Sequence, residues 1–240
     1  MTRFVAGVDG CPGGWAVVWR DADGSVPPVL EIVPAFAAIL ADLRRAAVVA
    51  VDMPIGLPER TGPGGRGPEN AVRPLLGARQ SSVFSVPSRR AVMETDYRAA
   101  CAAALATSDP PRQVSKQCFH LFPKIREIDA LMTPALEDRV YECHPELAFW
   151  RLNGNRPMAL PKKVKGRPNP AGLAERRALL LAAGDDPAFL DERRQGAGAD
   201  DVLDAAVLGL TALRLLRGEA ESFPPSPSRD VRGLRMAIFT

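Results

Sequence analysis

The chain opens on a pattern that belongs to β-structure. Phe4 to Val8 are apolar or β-branched and lead to Asp9. Gly10-Cys11-Pro12-Gly13-Gly14 then reads as a turn, Trp15 to Arg20 as a second strand, and Asp21 to Gly24 as another turn. Val29 to Val33 predicts a third strand, so the first thirty-odd residues read as an antiparallel meander. Ala35 to Arg45 has helical composition. Ala47 to Val51 is a continuous apolar run ending at Asp52, the pattern of a strand buried on both faces.

Beyond Asp52 the pattern turns helical. A Gly/Pro-rich stretch from Pro54 to Pro68 predicts a long loop of the kind that overlies active sites. Helices are expected over Asn70–Leu76, Tyr97–Thr107 and Ser115–Met132, with Pro123 breaking or kinking the last. A short strand follows at Arg139–Glu142 and a helix at Pro145–Leu152. Lys162 to Pro170 is a basic loop, and Ala171–Ala183 is a further helix. Asp200–Leu216 is the strongest helix, with Asp200 as its cap and Gly218 as its stop. Ser222–Ser228 reads as a Pro/Ser linker to a last strand over Gly233–Phe239. The order predicts an α/β fold: a mixed five-stranded sheet, three strands antiparallel and the rest parallel, flanked by helices. We expect one domain over residues 1–240, with helical insertions near 54–135 and 153–198 and an extension over 222–240. No internal repeat is visible.

Composition narrows the chemistry. The 240 residues are 46% hydrophobic and 25% charged, which supports a sizeable core and argues against wholesale disorder. A net charge of +3 is too mild to name a partner. No apolar segment follows Met1-Thr2-Arg3-Phe4 as a signal peptide would require, and no run is long enough to span a membrane. Cys11, Cys101, Cys118 and Cys143 are scattered without a CxxC pair, so a reducing, cytoplasmic setting is expected. With two histidines in the chain, a multi-histidine zinc site is excluded, and any metal is expected to be Mg²⁺ or Mn²⁺ on carboxylates.

Two strands end alike, at Asp9 and at Asp52. If parallel neighbours, they set these carboxylates about 4.8 Å apart at the sheet end where open α/β sheets bind ligands. Asp201 and Asp204, three apart on the late helix, share a face with Ala205, Leu208 and Ala212 and so point inward. Each acid has a plainer reading as a turn or cap residue, but the repetition favours a joint cation site of Asp9, Asp52, Asp201 and Asp204. Glu142 and His144, in Glu-Cys-His-Pro-Glu146, are candidates for acid/base work, with a strand-end turn as the alternative. Basic residues crowd Gly64–Arg90 and Arg151–Arg177. Arg79, Arg89, Lys124, Lys162 and Lys163 are the candidates for gripping a phosphate backbone. The turn at Asp9–Gly14 lacks the Gly-Lys-Ser/Thr ending of a phosphate-binding P-loop.

The strand order and the late Asp-x-x-Asp helix resemble the ribonuclease-H-like fold. More closely, the chain resembles the family DUF429, described as predicted ribonuclease-H-like nucleases. The resemblance rests on Gly7-Val-Asp-Gly-Cys-Pro-Gly-Gly-Trp15, Val51-Asp-Met-Pro-Ile-Gly-Leu57, Ser81-Ser-Val-Phe84 with Pro87 and Arg89, Pro123-Lys-Ile-Arg-Glu-Ile-Asp129 and Glu142-Cys-His-Pro-Glu146. Glu69 stands where that pattern has Asp. The resemblance implies two-metal phosphodiester hydrolysis on a nucleic acid, DNA or RNA, by the aspartate cluster. A sugar-kinase or ATPase relative, and a non-catalytic nucleic-acid-binding module, are the alternatives.

Overall fold

The structure is a computed structural model that describes residues 3–240. Met1 and Thr2, at the start where no signal peptide is expected, lie outside the described residues. Strands β1 (Phe4–Cys11) and β2 (Gly14–Asp21) form a hairpin in register from Phe4↔Asp21 to Cys11↔Gly14, and β3 (Val29–Val33) adds antiparallel to β2. After α1 (Phe36–Ala41), β4 (Val48–Val51) returns parallel to β1. Helices α2 (Gly67–Val72), α3 (Arg89–Met93), α4 (Tyr97–Ala106) and α5 (Lys116–Leu131) precede β5 (Val140–Glu142), which pairs parallel with β4. The sheet order is β3-β2-β1-β4-β5. This is the mixed five-stranded sheet flanked by helices that the pattern predicts.

Then come α6 (Pro145–Leu152), a two-residue ladder of β6 (Lys163–Val164) and β7 (Arg167–Pro168), α7 (Pro170–Ala182), α8 (Pro187–Leu190), α9 (Ala199–Arg217), and the hairpin β8 (Ser222–Arg229) and β9 (Arg235–Phe239).

Several local expectations need correction. β1 does not stop at Asp9: it runs on to Cys11, because the hairpin turn is only Pro12-Gly13, and Gly14 takes a φ of 123° that favours glycine. The first helix ends at Ala41, where the Asp42 carboxylate accepts the Arg44 N–H at 2.8 Å and offers the chain an alternative to another turn. Pro123 does not break α5. The helix stays whole because Phe122, Ile125 and Ile128 are fully buried, which offsets the roughly 3 kcal/mol a proline costs inside a helix. Ser222–Ser228 is a strand, not a linker. Its prolines cannot donate, and a register shift between Phe223 and Ser228 leaves them off the ladder.

The sheet is buried on both faces. On one, Ala6, Val8, Trp15 and Val17 pack against Phe122, Ile125 and Ile128. On the other, Val5, Val18, Val48 and Ala50 pack against Ala205, Leu208 and Ala212 of α9. The closest approach is at Gly7. A Cβ there would sit 2.0 Å from the backbone nitrogen of Gly209 and 2.2 Å from the carbonyl oxygen of Ala205. Glycine at position 7 lets α9 lie directly on the central strand. Among the described residues no helix is long and apolar enough to cross a membrane.

Candidate active site

The same contact that joins α9 to the sheet assembles the site. Side chains alternate along a strand, so Asp9 points to the side of β1 that Gly7 opens to α9, and Asp52 continues the Val48–Ala50 face of β4. Val8 pairs with Val51, and the Asp52 N–H donates to the Val8 carbonyl at 2.9 Å, so the two aspartates stand side by side at the end of adjacent parallel strands. Gly7 holds the helix close enough for Asp201 and Asp204, in its first turns, to reach the same place. Asp9, Asp52, Asp201 and Asp204 line one cleft of about 420 Å³, together with His144, Glu146, Arg79, Lys162 and Lys163.

The electrostatics are those of an acid cluster short of cations. Burial pushes Asp9 well above the usual carboxylate range, and the neighbouring charges of Asp204 and Asp52 push it further, with Lys162 opposing. Asp52 is raised by burial against the pull of His144 and Lys162. Asp204 is pushed up to about 7, by burial first, although the Lys162 ammonium pairs directly with it. Asp201 is raised by burial while it accepts the Gly198 N–H at 2.8 Å.

That last bond corrects an expectation. Gly198, not Asp200, is the N-cap of α9, and Asp201 closes the cap from three residues inside. Asp200 instead pairs with Lys163 at 2.6 Å on the cleft rim. Gly218 ends the helix as expected, in a left-handed conformation.

Three buried polar atoms in this cleft have no hydrogen-bond partner: Asp204 Oδ1, His144 Nδ1 and Arg79 Nε. Buried polar atoms are paired in the large majority of cases, so three such atoms on residues lining one cavity single it out as a candidate ligand site. Among the described residues no three His, Cys, Asp or Glu side chains stand ready to hold an ion as they are. The Lys162 ammonium occupies the position beside Asp204 Oδ2. The donor set nevertheless fits a hard divalent cation in kind: oxygen ligands, negative charge in surplus and a free carboxylate oxygen on Asp204.

Other expected residues are placed elsewhere. Glu142 does not join the cleft: at the end of β5 it accepts the Ile55 N–H at 2.7 Å and pairs with Arg66, which Glu69 also grips at 2.7 Å. Glu69 thus has a structural task, as counter-charge to a fully buried arginine. Arg89 is also absent from the cleft, because it bridges Asp129 at 2.5 Å and Asp230 at 2.7 Å. Lys124 lies over the Trp15 ring at 4.3 Å and donates to the Gly14 carbonyl, bracing the β1–β2 hairpin. Pro54–Pro68 does not cover the acids; Thr61, Gly62, Gly64 and Gly65 border a different cavity. In the basic stretch, Arg151, Lys162, Lys163, Arg176 and Arg177 are taken up by ion pairs with acids.

Nothing along the chain distinguishes Arg176 from the other basic residues between Arg151 and Arg177. It is fully buried on α7, bidentate to Glu146 at 2.7 and 2.8 Å, and bound to the carbonyls of Leu160 and Gly172. It neutralises Glu146 on the wall of the acid cleft and fixes the segment that carries Lys162. Ser81, Ser82 and Gln117 also line the cleft. The two serines fall in the Ser-Ser-Val-Phe motif, whose spacing alone assigned them no role.

The profile of the family described as "Protein of unknown function (DUF429)" matches residues 7–229. The chain belongs to DUF429. The match spans the strand-end aspartates, the Glu-Cys-His-Pro-Glu segment and the whole of α9, so the cleft is built entirely from the part of the chain that defines DUF429. No curated protein matches the sequence. No solved structure matches it either.

Proposed function

We propose that this DUF429 protein hydrolyses phosphodiester bonds in a nucleic acid, using Mg²⁺ or Mn²⁺ held by Asp9, Asp52, Asp201 and Asp204. The observation that carries the reading is the convergence of these acids, from two strand ends and a helix start, around the unpartnered Oδ1 of Asp204. Carboxylates crowded in this way disfavour joint ionisation, and a divalent cation relieves both the repulsion and the orphan acceptor. The resemblance of the strand order and the Asp-x-x-Asp helix to the ribonuclease-H-like fold supports the same reading.

Bound divalent cations would lower the pKa of a water molecule and stabilise the departing oxygen. The remaining work belongs to side chains. Arg79, whose Nε has no partner, lines the cleft and offers positive charge to a phosphate backbone, and the half-exposed Lys163 joins it by exchanging Asp200 for a phosphate. Lys162 keeps its proton, because Asp204 and Glu146 outweigh the cost of its burial, and it holds Asp204 in place. His144, against Asp52 and with one free ring nitrogen, is positioned to move a proton at the reacting water. The four cysteines are free and buried, which suits the cytoplasmic setting we propose.

The test is single-stranded DNA and RNA cleavage with Mg²⁺ or Mn²⁺, read together with the melting temperature. Wild type should gain both cleavage and several degrees of stability on adding Mn²⁺. Asp9→Asn and Asp204→Asn should each lose cleavage by about 100-fold or more and lose most of the metal-dependent stabilisation. Mn²⁺-independent binding of nucleic acid with no turnover would replace this reading with that of a binding module.

A further inference from the structure

A second cavity, of about 540 Å³, shares the 3-10 segment Arg73–Ser82 with the acid cleft: Arg73, Gln80 and Ser81 line the cavity, and Arg79, Ser81 and Ser82 line the cleft. Ser81 borders both spaces. So does the start of α5, with its cap Ser115 on the second cavity and Gln117 on the cleft. The volume falls within the roughly 300–1,000 Å³ of small-molecule sites. Nothing in the proposed hydrolytic machinery uses it.

Its lining has a distinct character. The wall includes the buried Val83, Val86, Ala104 and Val114, with Phe84 beside them. Polar reach comes from Gln80 and Gln113, whose amides both donate and accept. The cavity is lined by two arginines and by no Asp or Glu. Arg73 spends its nitrogens on neutral partners, the Gly64 and Val83 carbonyls and the Ser85 hydroxyl, so its charge is uncompensated at contact range. Arg112, exposed at the mouth, meets no acid in this lining. An apolar cavity with amide edges and a positive rim, with no acid in its lining, matches a flat heteroaromatic ring carried on an anionic backbone.

We propose that this cavity receives one unstacked base of the strand whose backbone crosses the acid cleft, with Arg112 and the start of α5 facing the phosphate beside that base. The substrate is then single-stranded at the site of reaction, because a paired base cannot leave its stack to enter a cavity of this kind without losing its partner. This rests on the phosphodiesterase reading for the purpose of the cavity, but the binding step can be measured apart from cleavage.

The experiment uses the full chain without added metal and titrates adenosine 5′-monophosphate and, as the base-free probe, ribose 5-phosphate. The nucleotide should bind wild type and Asp204→Asn alike. Arg112→Glu, at an exposed position, should weaken it about tenfold, and Ala104→Leu, which adds volume to the wall, should do the same. Ribose 5-phosphate should bind at least tenfold more weakly than the nucleotide. Absence of nucleotide binding, equal affinity for both probes, or indifference to both Arg112→Glu and Ala104→Leu would overturn the proposal. Cleavage of single strands with no nucleotide binding defeats the base pocket alone. Nucleotide binding that responds to both variants, without metal-dependent cleavage, defeats the hydrolase reading alone.

Discussion

Adding one methyl group at Gly7 is the sharpest test of how this fold makes its site. The Cβ of Gly7→Ala would fall 2.0 Å from the Gly209 nitrogen, against an ordinary contact of 3.4 Å or more, so α9 must retreat from β1 by about 1.4 Å. The obstacle is backbone on a rigid helix, which cannot rotate aside as a side chain would. Overpacking usually costs about 1–3 kcal/mol, and the upper end or beyond applies here. At about 2–4 °C per kcal/mol for a chain of this size, the melting temperature should fall by roughly 6–12 °C. The retreat also draws Asp201 and Asp204 away from Asp9 and Asp52, so any stabilisation by Mn²⁺ at the proposed site should shrink even at temperatures where the variant is folded. Urea unfolding with and without Mn²⁺ measures both effects. Gly62→Ala is the control, since its Cβ would meet nothing within 4 Å, and it should shift stability by less than about 0.5 kcal/mol. A Gly7→Ala protein as stable as the control would refute the claim that this contact sets the helix on the strand.

Two further outcomes follow from buried charges. Arg66 is buried between Glu69 and Glu142, and burial pushes Glu142 from 4.5 up to about 7 despite the arginine beside it. The folded protein therefore holds a proton that the unfolded chain releases between these values, so this group's stabilisation is full below about pH 4.5 and fades as pH rises toward 7, by on the order of 3 kcal/mol. Denaturant midpoints of Glu142→Gln should decline less than those of wild type across that interval, and parallel curves would contradict the assignment. Arg176→Met strands the Glu146 carboxylate in a buried wall and should cost roughly 3–5 kcal/mol in chemical denaturation, with Glu146→Gln in the same chain restoring a large part. No recovery in the double variant would mean that Arg176 acts through packing and its carbonyl contacts instead.

The sequence alone marked the five strand segments and the change from antiparallel hairpins to parallel crossovers, because apolar, β-branched runs such as Val48–Val51 and the short turns between the first strands are local signals, whereas the order β3-β2-β1-β4-β5 came from the tertiary structure. The sequence also marked Asp9, Asp52, Asp201 and Asp204, since an acid interrupting an apolar stripe is visible without coordinates. Gly218 was legible as a helix stop for the same reason: its conformation is a property of one residue. The tertiary structure decided everything that depends on which distant group answers a charge. Glu142 and Arg89 carry no mark that distinguishes an acid facing a cleft from one answering Arg66, or a phosphate-seeking arginine from one already held by Asp129 and Asp230. Arg176 and Lys162 sit in one basic stretch, yet one is sealed against Glu146 and the other points into the acid cleft. Hydrophobic period is written residue by residue along the chain, whereas a charge is defined by its partner, and partners separated by tens to more than a hundred residues meet only when the core has closed.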